Sequence, residues 1–124
     1  MLTIDTNIVL RYILGDNEDL SAEARRIIEG NAVNIPIEIL CEVIYVLSSV
    51  YKIDRKVIKD ELKNFLENPD CVMPHKDVAL IALDFYAETG LDYVDCMLAG
   101  YKAVNRYNIA TFDKKLNKLL DTII

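Results

Sequence analysis

Cysteine, glycine and proline are scarce in this chain, and histidine occurs once. The three cysteines, Cys41, Cys71 and Cys96, are odd in number and show no C-x-x-C spacing. A disulfide framework or a structural zinc site is therefore not expected, and a reducing compartment fits best. With His75 as the sole histidine, no convincing Ser-His-Asp arrangement can be assembled. Only 4 Gly and 3 Pro stand beside a hydrophobic fraction of 52%, which excludes a disordered chain. No apolar run reaches the ~18 residues of a membrane span. The run Val43–Val50 is short and follows Glu42. Asp5 and Arg11 interrupt the first apolar residues, so a signal peptide is not expected and a cytoplasmic location is. A basic excess is missing too: the formal net charge is -6. A protein that coats nucleic acid would be basic. An enzyme that meets phosphates through bound divalent cations remains compatible with that balance.

What is present is an alternation of short apolar runs and helical periods. At 124 residues the chain fits a single domain, 1–124, large enough to bury its own core. A strand is expected at Leu2–Ile4, stopping at Asp5. A helix follows over Ile8–Leu14, opened by Thr6 and Asn7 and closed by Gly15. Further helices are expected over Leu20–Glu29, Ile37–Val50 behind Pro36, and from an Asp54 cap through Leu66. The same patterns predict helices over Asp77–Glu88, from an Asp92 cap to about Arg106, and from an Asp113 cap to Leu120. Strands are expected at Ala32–Ile35, Cys71–Met73 and Asn108–Phe112, with an edge strand at Thr122–Ile124. Strands alternating with helices imply an α/β fold with a largely parallel sheet. In such sheets the functional crevice lies at the carboxyl ends of the strands, where this reading places Asp5 and Asp113.

Four carboxylates stand out: Asp5, Glu42, Asp95 and Asp113. Hydrolysis of a phosphodiester needs a nucleophilic water at neutral pH and a means of holding the charge that builds on phosphorus. Hard divalent ions bound by carboxylates supply both. Each residue also has a plainer role. Asp5 and Asp113 stand where helix caps stand. Asp92 and Asp95 have capping-box spacing, with the cap assigned to Asp92. Glu42 belongs to the one polar stripe, Glu38, Glu42, Tyr45 and Ser49, of an otherwise apolar helix; that stripe is either a solvent face or a carboxylate with a buried partner. Asn7 and Thr111 sit two residues from Asp5 and Asp113, placed for capping or for orienting a carboxylate or a bound water. Arg11, one turn after Asn7, and Lys114, Lys115 and Lys118 after Asp113 are either phosphate contacts or solvated surface charge.

These residues also resemble a known family. Leu2-Thr3-Ile4-Asp5-Thr6-Asn7-Ile8 is similar to the start of PIN domains. Pro36 with the helix carrying Glu42, Val43 and Leu47 resembles their second acidic motif. Asp92-Tyr93-Val94-Asp95-Cys96-Met97-Leu98-Ala99 resembles the third, and Thr111-Phe112-Asp113 the fourth. The resemblance covers essentially the whole chain. It implies a three-layer α/β/α sandwich with a central, mainly parallel sheet. It further implies hydrolysis of RNA (tRNA, rRNA or mRNA) with one or two Mg²⁺ or Mn²⁺ ions held by Asp5, Glu42, Asp95 and Asp113. Asn7 and Thr111 would be supporting polar residues. Stand-alone members of this length are commonly VapC-type toxins, which implies a homodimer and a small antitoxin partner.

Two rivals are weighed against this. An acidic-site α/β phosphatase of the haloacid-dehalogenase type wants a second aspartate two residues after the first, where this chain has Asn7. A receiver domain wants an aspartate at the end of the third strand, and Met73-Pro74 stands there. A non-catalytic PIN-like binding module would have no need to keep all four carboxylates. Part of the apolar surface of helix Ile37–Val50 and of the region around Val57, Phe65 and Leu66 is expected either to meet another chain or to lie deep in the monomer.

Overall fold

Three two-residue strands form a parallel sheet in the order β1-β2-β3: β1 Leu2–Thr3, β2 Val33–Asn34 and β3 Cys71–Val72. The computed structural model describes residues 1–124. Leu2 stands opposite Val33, and Val33 opposite Cys71. The sheet bonding runs one residue further, with Ile4 N donating to Asn34 O at 3.2 Å and Ile35 N to Val72 O at 2.8 Å. Parallel strands need helical crossovers to return the chain, and helices lie between each pair here. The result is a parallel-sheet α/β fold, the class expected.

The chain forms two compact units, Met1–Pro74 and His75–Ile124. The first holds the sheet with α1 Thr6–Leu14, α2 Glu18–Glu29, α3 Ile37–Ser49 and α4 Arg55–Leu66. α1 packs on α2 and α3, and α3 on α4. The buried residues of α3 (Leu40, Val43, Ile44, Leu47) and of α4 (Ile58, Leu62, Phe65, Leu66) recur at three- and four-residue intervals, so each helix turns one apolar stripe inward. Val33 and Ile35 of the central strand are wholly buried. Gly15 ends α1 at φ 59, a left-handed conformation in which a Cβ is strained.

The second unit holds α5 Lys76–Glu88, α6 Tyr93–Asn105 and α7 Lys114–Leu120. α5 and α6 meet through small residues, Ala79, Ala82, Ala99 and Gly100, all buried. A Cβ at Gly100 would stand 3.0 Å from both the Val78 side chain and its carbonyl oxygen, so any larger residue would have to push α5 back by a few tenths of an ångström. Tyr93 donates from its hydroxyl to Ala79 O at 2.8 Å and ties the start of α6 to α5.

Two expected strands do not form. Asn108–Phe112 and Thr122–Ile124 carry no ladder and belong to neither helix nor strand. Burial still alternates along Ile109, Ala110, Thr111 and Phe112, the period-2 signal that favoured a strand. A strand, however, is defined by the backbone groups of a neighbour, which side-chain alternation cannot supply. Asp113 therefore follows an irregular segment rather than a strand end. Phe65 and Leu66 turn inward, at 7% and 0% exposure, while Val57 of the same helix stays exposed.

Candidate active site

Asp5 lies just past the first strand, where the chain turns into α1. It is exposed, and its Oδ1 accepts from Ile8 N at 3.1 Å, capping the helix. Thr6 beside it is buried, and its hydroxyl finds no partner within the protein. Asn7 is exposed, one residue further along.

Arg11 holds Asn7 in place. Its Nε donates to Asn7 Oδ1 at 3.3 Å, one Nη donates to Asp16 at 2.6 Å, and the other donates to the Tyr51 hydroxyl at 3.0 Å. Arginine has no acceptor, so Asn7 must offer it the carbonyl oxygen and keep its NH₂ for elsewhere. All three guanidinium nitrogens are engaged, so Arg11 ties α1 to Asp16 and Tyr51 as well as to Asn7.

Glu42 sits midway along α3. Glu38, Glu42, Tyr45 and Ser49 are all exposed, so the polar stripe of this helix is its solvent face. Nothing about burial obliges the Glu42 carboxylate to find a partner.

In the second unit, Asp95 stands within the field of two other aspartates. Asp95 lies in the first turn of α6 and is half-buried. Burial pushes its carboxyl above the usual range, and the negative charges of Asp113 and Asp92 push it further the same way. Asp113 caps α7 by accepting from Leu116 N at 2.8 Å. Thr111 Oγ1 accepts from Asp113 N at 3.1 Å, and Thr111 O accepts from Asn117 Nδ2 at 2.9 Å. Thr111 thus fixes the backbone that presents Asp113. Lys114, Lys115 and Lys118 are exposed beyond it.

Asp92 departs from the capping role its spacing predicts. It occupies the cap position of α6 but makes no side-chain cap bond. Its charge is instead one of those raising Asp95, which brings it into the acidic group that sequence spacing had assigned to capping alone. Tyr51 was also missed, since nothing local connects it with Arg11. His75 stands at the start of α5 with φ 54 and meets Tyr101 edge-on, 5.5 Å between ring centres.

Carboxylate oxygens are the donors hard divalent cations take, and a cluster of like charges is the field such an ion relieves. In donor chemistry Asp92, Asp95 and Asp113 fit that need. Within neither unit do three His, Cys, Asp or Glu side chains converge closely enough to form a ready-made cage. Waters and substrate phosphate oxygens commonly complete the shell of Mg²⁺.

A family model described as PIN domain matches residues 2–120, a span that includes both compact units and all four singled-out carboxylates. No curated protein and no solved structure matches the chain. No helix is long and apolar enough to cross a membrane.

Proposed function

The chain belongs to the PIN domain family, a family of nuclease-type domains that act on nucleic acids and usually use divalent metal ions, and from that premise we propose that it is a metal-dependent endoribonuclease. The carrying observation is that the family match spans residues 2–120, the stretch within which Asp5, Glu42, Asp95 and Asp113 fall. The raised carboxyl of Asp95 beside Asp92 and Asp113 supports a role in holding a cation.

In this reading Asp5, Glu42, Asp95 and Asp113 would hold one or two Mg²⁺ or Mn²⁺ ions. A bound ion would supply an activated water and would stabilise charge on phosphorus and the leaving oxygen. The residues of the chain have their own tasks. One of the carboxylates accepts the proton of the attacking water. Asn7 and Thr111 orient their neighbours, and Lys114 meets the phosphate backbone.

The further reading is that the protein is the toxin of a VapBC-type pair, a cytoplasmic homodimer blocked by a small antitoxin. An open, mainly apolar cleft of about 220 Å³ lined by Ile13, Leu14, Leu47, Ile53, Val57 and Ile58, with Glu61 among them, supports a protein partner.

The test is digestion of a mixed pool of labelled tRNA and rRNA fragments with Mn²⁺ or with chelator, followed by analysis of the new ends. Attack by water leaves no 2′,3′-cyclic phosphate. Metal-dependent cutting with such ends is expected. Cyclic ends, or cutting that chelator does not stop, would contradict the mechanism.

A further inference from the structure

Phe112 has no protein neighbour over its ring: it is 105% exposed, one residue before Asp113. Its backbone is nevertheless firmly held. Thr111 on one side and Asp113 on the other are fixed by bonds to Asp113 N, Asn117 Nδ2, Leu116 N and Asn117 N, between 2.8 and 3.1 Å. A large apolar ring kept in water on an ordered backbone is preorganised for a ligand. The charge around it is equally distinctive. In a chain of net charge -6, residues 101–124 carry five Lys or Arg against two Asp. Two of those cations are committed to the fold, since Lys102 donates to Leu120 O and Arg106 to Ile124 O. Lys114, Lys115 and Lys118 are exposed and enter no ion pair. Tyr107, 54% exposed, stacks on Tyr101 and leaves an outer face to solvent.

We propose that Phe112 and the lysines that follow it bind single-stranded RNA, with the Phe112 ring stacking on an unpaired base and Lys114 and Lys115 meeting the adjacent phosphates. This rests on the ribonuclease reading and assigns it a base-stacking residue. Only a splayed base exposes a face to an aromatic ring, because in a duplex both faces are covered by neighbouring base pairs. Lysines beside the ring add the salt-dependent, sequence-independent part of the affinity.

The experiment measures binding of a labelled single-stranded 12-mer RNA and of its duplex in chelator, together with kcat/KM for cleavage in Mn²⁺. The proteins are wild type, Phe112→Ala, Phe112→Leu, Phe112→Trp and the double variant Lys114→Gln/Lys115→Gln. Because the ring is exposed, melting temperatures should stay as in wild type. Phe112→Ala and Phe112→Leu should both weaken single-strand binding about tenfold, and Phe112→Trp should keep it. The lysine pair should flatten the slope of log K against log salt by about 1.4. Full cleavage and binding by Phe112→Ala, beside an active wild type, overturns this inference alone. Retained binding by Phe112→Leu overturns stacking in favour of a general apolar contact. Loss of self-association in Phe112→Ala with RNA binding unchanged makes the ring a contact between protein chains and overturns it too. A wild type that neither binds nor cuts any RNA overturns the ribonuclease reading itself.

Discussion

Arg11 reaches Tyr51, forty residues away in sequence, at 3.0 Å, while its Nε holds the Asn7 carbonyl oxygen at 3.3 Å. The loop after α3 is thereby coupled to the orientation of a side chain two residues from Asp5. Tyr51→Phe should cost about 1 kcal/mol, the net worth of one such bond. Arg11→Met should cost about 1–2 kcal/mol, held down by the exposure of the Asp16 partner. Urea denaturation measures both. Cleavage by Arg11→Met should fall, and the fall should vanish when Asn7 is already alanine. Additive losses would mean that Arg11 does not act through Asn7.

Asp5 and Asp113 each cap a helix, so a structural and a chemical role must be separated. Asparagine caps about as well as aspartate but has no charge. Asp5→Asn and Asp113→Asn should therefore unfold within about 0.5 kcal/mol of wild type, whereas alanine at either position should cost about 1 kcal/mol. Cleavage should drop by about a hundredfold or more in the asparagine variants, a loss of roughly 2.7 kcal/mol in transition-state binding. Stable variants with full activity would leave capping as the whole role.

Asp95 predicts a pH signature. Its carboxyl titrates higher in the folded protein than in the unfolded chain, where the value is about 3.8. The folded state therefore binds the proton more tightly, and stability falls as pH rises from the unfolded value through the raised folded one. Asp95→Asn removes that fall. In chelator at pH 7 the variant should be more stable than wild type, and the gain should disappear as pH drops below the ordinary carboxylate range. Equal denaturation midpoints at pH 7 would contradict the like-charge account.

Mn²⁺ should act in the opposite direction. A ligand at a hundred times its Kd stabilises by about 2.7 kcal/mol. Wild type should melt higher as Mn²⁺ rises, and Asp95→Asn should respond much less. A flat melting curve at saturating Mn²⁺ would count against the ligand set.

What could be read from the sequence was local. Caps at Asp5, Asp54 and Asp113 follow from one side chain and the amides two or three residues on, and all three form. The stripes of α3 and α4 follow from helical period, and Glu42 lies on the solvent face that the period allows. The expected strand at Asn108–Phe112 failed because a ladder depends on a second segment. Asp92 was misread because capping-box spacing also sets two carboxylates near each other. Tyr51 was invisible because its partner lies forty residues upstream.

The most direct test of the central claim is the single-turnover cleavage rate of one defined RNA fragment, titrated with Mn²⁺, for wild type and Asp95→Asn side by side. The account predicts a wild-type rate that rises to saturation with metal, and a variant rate lower by about a hundredfold or more at saturating metal. Equal rates, or a wild-type rate indifferent to metal, would contradict it.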